Sequence, residues 1–114
     1  MENIAARIED EVSTWPGVTV HEHRFGGIEF RLDRRQLGHL HGGRWADLPF
    51  PKGTRDMLVE TGRAQPHHVL PETGWISRQI RGDADVREVI DLFRLAYDRA
   101  SVRSSREQLG EALG

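Results

Sequence analysis

Apolar residues recur along this chain at two periods. Near the start, Ile4, Ile8 and Val12 return every four residues with Ala5 beside them, while Glu2, Arg7, Glu9 and Glu11 take the other positions. That is a helix with one buried stripe, predicted over residues 2–14. Trp15 extends the stripe. Pro16-Gly17 ends the helix, because proline lacks a donor and glycine tolerates the exit turn. From Val18 the period falls to two. Val18 and Val20 alternate with Thr19 and His21, and Ile28, Phe30 and Leu32 alternate with Glu29, Arg31 and Asp33. Two strands with one wet face are predicted, joined at Gly26-Gly27 by a two-residue turn that permits positive φ. Asp33-Arg34-Arg35 makes a charged turn.

A short strand follows at residues 36–41, with Gly38 and Leu40 on one face and Leu37, His39 and His41 on the other. Gly42-Gly43 is a second hairpin turn, residues 44–48 its partner strand, and Pro49-Phe50-Pro51 its end, since two prolines cannot join a central ladder. Residues 52–61 predict a short helix with Met57 and Leu58 inward, capped by Gly62. Residues 63–73, holding Pro66 and Pro71, read as a loop or an irregular edge segment. Residues 74–81 predict a strand with Ile76 and Ile80 opposite Trp75. Asp83 caps the last helix, with Asp85 and Glu88 in its first turn, where the dipole favours anions. Val86, Val89, Ile90, Phe93, Ala96, Tyr97 and Ala100 give that helix a strongly buried face. The element order is α-β-β-β-β-α-β-α. It implies an α+β fold: an antiparallel sheet of about five strands with the N- and C-terminal helices mainly on one face. Residues 1–100 form one domain, and residues 101–114 a polar tail or helix extension.

Composition narrows the chemistry. The chain has no cysteine, which removes disulfides, thiolate metal sites and cysteine nucleophiles and fits a reducing cytoplasm. Sixteen basic against eighteen acidic residues leave a formal charge of −2, so long-range attraction to nucleic acid or anionic lipid is not expected. No apolar run is long enough to span a bilayer, and the acidic, amphipathic start is not a secretory signal, so a cytoplasmic protein without a membrane partner is expected.

Candidate chemistry gathers between Gly38 and Trp75, a stretch with four of the six histidines, two of the three tryptophans and four of the five prolines. His39 and His41 are two apart, so on a strand both rings share a face, about 6.5–7 Å apart along the chain. Such a pair chelates zinc, iron or copper when a third ligand arrives. His68 or His67 is the expected third ligand, with Glu72 or Asp47 as alternatives; without one, the pair bonds water and neighbouring carboxylates. His67-His68, braced by Pro66 and Pro71, either contacts a ligand or caps an element end. Glu72 and Asp47 are also candidate general acids or bases. Trp45, Phe50 and Trp75 either line a pocket or cover the core. Arg44, Lys52, Arg55 and Arg63 form an anion-binding rim or a solvated helix face. His21 and His23 repeat the two-residue spacing and read as solvent-facing decoration. Ser77 and Thr73 lie in no G-x-S-x-G elbow, and no phosphate-binding glycine loop occurs.

Several of these residues carry a resemblance. His39-Leu40-His41-Gly42, Leu48-Pro49-Phe50-Pro51, Gly62-Arg63-Ala64, Pro66-His67-His68, Pro71 and Gly74-Trp75 resemble the "luciferase domain" family of short bacterial and fungal proteins, over roughly residues 20–100. The resemblance brings no catalytic residue onto this chain, and it does not imply light emission. Flavin-linked bacterial luciferases are (β/α)₈ barrels of at least ~200 residues. A fold-level likeness to small double-wing DNA-binding proteins rests on the strand with Trp75 and the helix ending near Tyr97. The expected function is a module that binds a small molecule or a protein through a face bearing His39, His41, Trp45, His67, His68 and Trp75. The alternatives are a metal-assisted or acid–base enzyme on the same histidines, then nucleic-acid binding. A homodimer is compatible with the sequence. The discriminating question is whether the strand pair and the proline-braced loop meet across one hollow.

Overall fold

The structure, a computed structural model, describes residues 3–23 and 26–113. It has three helices and six strands: α1 (Ile4–Val12), β1 (Val18–Glu22), β2 (Ile28–Leu32), β3 (Arg35–His41), β4 (Trp45–Pro49), α2 (Lys52–Glu60), β5 (Gln65–Pro66), β6 (Trp75–Gln79) and α3 (Asp83–Leu113). The strands form one sheet in the order β1-β2-β3-β4-β6-β5, and every neighbouring pair is antiparallel. The α+β class and the element order are those predicted. The additional strand is β5, two residues inside the expected edge segment that pair with Ser77 and Ile76.

α1 starts where the Asn3 side chain accepts the Ala5 N–H at 2.9 Å, and it buries Ile8 and Val12. Glu2, expected on its polar side, lies outside the described residues. α1 packs on α3, and α3 crosses β2, β3 and β4. Phe30 of β2 meets Phe93 of α3 edge-on, with centroids 5.1 Å apart. Gly38 permits this approach. A Cβ there would stand 2.7 Å from the Asp47 carbonyl oxygen and 2.9 Å from the Phe93 ring. Tyr97 donates to the Pro16 carbonyl at 2.7 Å and ties α3 to the exit of α1.

Three local expectations are corrected. The β1–β2 connection runs from residue 23 to 27 rather than turning within Gly26-Gly27, and the His23 N–H closes it on the Gly27 carbonyl at 2.8 Å. Residues 24–25 of that connection lie outside the described ones. Leu37 is a bulge: Phe30 pairs with Gly38 and Arg31 with Gln36, so Leu37 has no partner and the alternation breaks. It is buried with Ala96 and Ala100 beside α3, not on the face of His39 and His41. In its place Gln36 joins the imidazole face. Met57 is exposed, and Leu58 is the residue that α2 buries. Of the two forms expected for the polar C-terminal stretch, it takes the helix extension, continuing α3 to Leu113. Arg35 pairs with Glu107, and the Ser104 hydroxyl donates to Asp33 at 2.6 Å, fastening this extension to the β2–β3 turn.

Candidate functional site

Period-two alternation sends Ala46, Leu48 and Ile76 into the core and Trp45, Asp47, Trp75 and Ser77 to the opposite face. Antiparallel register then decides who meets whom. Asp47 stands opposite His39 on one side and opposite Ser77 on the other. Its carboxylate is essentially inaccessible, at 1% exposure. Asp47 Oδ2 lies 3.2 Å from His39 Nε2, 3.0 Å from His41 Nε2 and 3.5 Å from His67 Nε2, while Oδ1 accepts the Ser77 hydroxyl. Strand pair and proline-braced loop therefore converge on one buried acid.

This face holds the polar groups that the fold buries. Among the described residues the buried polar or charged side chains are Glu29, His39, Asp47, His67 and Ser77. All five belong to a single network, because the His23 ring bonds Glu29 at 3.3 Å and stacks on His39 with centroids 4.0 Å apart. Leaving any member unsatisfied costs about 1–3 kcal/mol, so a network this complete orders its side chains. Burial alone would raise the Asp47 pKa. Hydrogen bonds from His39 and Ser77 and the charges of His67 and His39 outweigh it, holding the carboxyl far below the usual range. Burial, reinforced by neighbouring imidazoles, lowers the pKa of both His41 and His67 against the opposing pull of Asp47. Glu29 is likewise depressed: burial works the other way, but Arg31 and then His23 prevail.

The bonds of His67 settle its tautomer. The Val69 and Leu70 backbone N–H groups both donate to Nδ1 at 3.1 Å. Nδ1 must therefore offer a lone pair, and the ring proton sits on Nε2, toward Asp47. A metal-bound imidazole keeps its proton on the other nitrogen and donates it outward. His67 is arranged in the reverse sense, as a proton-bearing support for Asp47. His39 differs, because its Nδ1 faces the Gln36 side-chain amide at 2.9 Å, and an amide can donate or, turned over, accept.

Among the described residues, two trios bring possible ligand atoms within 4.8 Å of one another: His23, His39 and His41, and Asp47, His67 and His68. Neither works as a unit. His23 lies nearly parallel to His39, with 15° between the planes, and His67 nearly parallel to His68, with 18°. An imidazole lone pair lies in its ring plane, and stacked rings 4.0 and 4.5 Å apart keep those planes separate, so one ion does not lie in both. His39 and His41 meet edge-on, at 84° with centroids 4.7 Å apart. Both rings also place Nε2 within 3.2 Å of Asp47 Oδ2. Ligands held about 2.0–2.2 Å from one ion lie roughly 3.0–3.5 Å from each other, and the Asp47–His39 and Asp47–His41 separations fall in that interval.

Above these atoms opens a cavity of about 830 Å³, lined by His23, His41, Trp45, His68, Val69 and Leu70 among others. Trp45 stacks on His41 at 4.8 Å, while Trp75 backs His39 and His67 at 5.6 and 6.0 Å. Of the remaining sequence candidates, His68 is exposed and groups with Asp47 and His67 rather than with the strand pair. Phe50 is in the core, and Glu72 is exposed and does not line the cavity. Thr73 closes its own loop by bonding Leu70 O and Trp75 N. Of the four basic residues, Arg44 lines the cavity, whereas Arg55 pairs with Asp56 and Pro71 O. His21 bonds Thr19 at 2.8 Å, away from the network. The reading of His23 as solvent-facing decoration is corrected by its stack on His39, and sequence reasoning passed over Glu29 and Gln36. His23 shares parity with His21, and only the fold of the β1–β2 hairpin lays it on His39.

Fold and face together define a small α+β domain with a carboxylate-anchored imidazole cavity on its sheet. The chain belongs to the Luciferase domain family, whose model matches residues 34–96, from the β2–β3 turn to the middle of α3. No curated protein and no solved structure matches it.

Proposed function

We propose that this chain is a ligand-binding domain that holds a divalent first-row transition metal with His39, His41 and Asp47 and presents it to a small molecule in the cavity. One observation carries the reading: three imidazole nitrogens crowd a single oxygen of Asp47. A carboxylate oxygen offers about two lone-pair directions. The His67 proton takes one. His39 and His41 approach the same oxygen to 3.2 and 3.0 Å, and an ion bound among the three groups would satisfy them together. Two histidines and one carboxylate leave coordination positions open, as in metal sites that bind or activate a ligand. Ser77 and His67 act as outer partners that orient the carboxylate.

A second reading keeps the same atoms without an ion. His41, neutral through burial and set against Asp47, then serves as a general base toward a cavity-bound ligand. Ser77 is no nucleophile in either reading. A serine–histidine relay needs the imidazole between hydroxyl and carboxylate, and here the carboxylate is in the middle.

Calorimetric titration of untagged protein with Zn²⁺, Co²⁺ and Ni²⁺ separates the two. The metal reading expects one equivalent bound, with affinity reduced more than about 100-fold by His39→Ala or His41→Ala and far less by His68→Ala. Failure of all three ions to bind stoichiometrically leaves the acid–base reading.

A further inference from the structure

The cavity mouth carries two features that the metal reading does not use. Val69 and Leu70 are 67% and 44% exposed, yet they line the cavity. They are not loose, because their own N–H groups are the two that His67 Nδ1 receives. The loop is held again where Arg55 donates to the Pro71 carbonyl. The apolar side chains are thus presented at the rim by the hydrogen bonds beneath them. Arg44, in the β3–β4 turn, lines the same cavity. Its backbone is fixed, since its N–H donates to His41 O at 3.2 Å and its carbonyl receives the Ile80 N–H at 2.8 Å. Among the described residues its guanidinium has no side-chain partner, although the chain carries an acidic excess that pairs many other arginines. One fixed rim therefore offers a free cation, two presented aliphatic groups and the Trp45 face.

We infer that the ligand of this cavity is a small organic anion: a carboxylate attached to an apolar body. The charged head engages Arg44 and the imidazole floor, and the body covers Val69, Leu70 and Trp45. Exposed aliphatic side chains on a pinned loop recover apolar contact only when such a body covers them. A guanidinium with free donors matches a planar carboxylate. The inference rests on the cavity reading above but not on the ion itself.

The probes are 4-phenylbutyrate, its neutral amide 4-phenylbutanamide, and acetate, titrated into zinc-loaded and metal-free protein. The acid is expected to bind about threefold to fivefold more tightly than the amide, the scale of an exposed ion pair, and at least about tenfold more tightly than acetate, the scale of the buried ring. In the metal-free protein, where no ion competes for the carboxylate, Arg44→Gln abolishes the acid-over-amide preference. The double change Val69→Ser, Leu70→Ser abolishes the preference over acetate. Both variants keep the wild-type zinc titration. Equal binding of acid and amide by the wild type overturns the inference, as does an undiminished preference in metal-free Arg44→Gln. Failure of zinc binding with both preferences intact overturns the metal reading alone.

Discussion

Asp47 bears more of the polar face than any other residue. Its two oxygens receive Ser77, His39, His41 and His67, so replacement strands several buried donors together. Asp47→Asn is expected to lower unfolding stability by about 2–3 kcal/mol, read from the urea midpoint, because the amide accepts less strongly and adds an N–H facing imidazole protons. Glu72→Gln changes an exposed acid outside the network and should remain within about 0.5 kcal/mol of the wild type in the same titration. In the sequence the two residues look alike, as acids within reach of histidines. What separates them is cross-strand register, which sets Asp47 between His39 and Ser77. The parity of His39 and His41 needs no such information, since alternation along one strand puts them together.

At the scale of elements, the bulge at Leu37 and the approach of α3 over Gly38 set how the sheet meets its helix. Gly38→Ala drives a methyl group into backbone and Phe93 and should cost about 1–3 kcal/mol by chemical denaturation. At the start of α3, Asp85 accepts the Arg81 N–H at 2.7 Å and the Arg78 guanidinium at 2.6 Å, and these hold its pKa below the ordinary 3.8. A carboxyl depressed on folding stabilises the protein above its unfolded pKa and ceases to do so as pH falls through the folded value. Asp85→Asn should therefore lose about 1 kcal/mol at pH 7. In paired melts the gap from wild type should close as pH drops below 3.8. Helix existence was legible from periodicity. The reach of α3 to Leu113 was not, because its last turns expose Val102 and Leu109 and are fastened by long-range bonds from Arg35 and Asp33. Deleting residues 105–114 is expected to cost less than about 1 kcal/mol and to leave metal affinity unchanged.

For the whole molecule, a ligand that binds only the folded state raises stability by linkage. At a free zinc concentration 100 times the dissociation constant the gain is about 2.7 kcal/mol. Thermal unfolding should shift upward with zinc in the wild type and stay put in His41→Ala. No helix among the described residues is long and apolar enough to cross a membrane.

Two kinds of information meet in this protein. The apolar periods, the glycine and proline stops and the parity of His39 and His41 are local. They follow from residues within a few positions of one another, and so the α+β class, the element order and the family resemblance could be read from the chain itself. The convergence on Asp47 is not local. It joins residues 39, 41, 47, 67 and 77 through strand register, a bulge and a loop bent back by two hydrogen bonds to His67. Hydrophobic burial aligned the strands by their apolar faces. Only when they had paired did it become decided which polar side chains on the other face would share an oxygen.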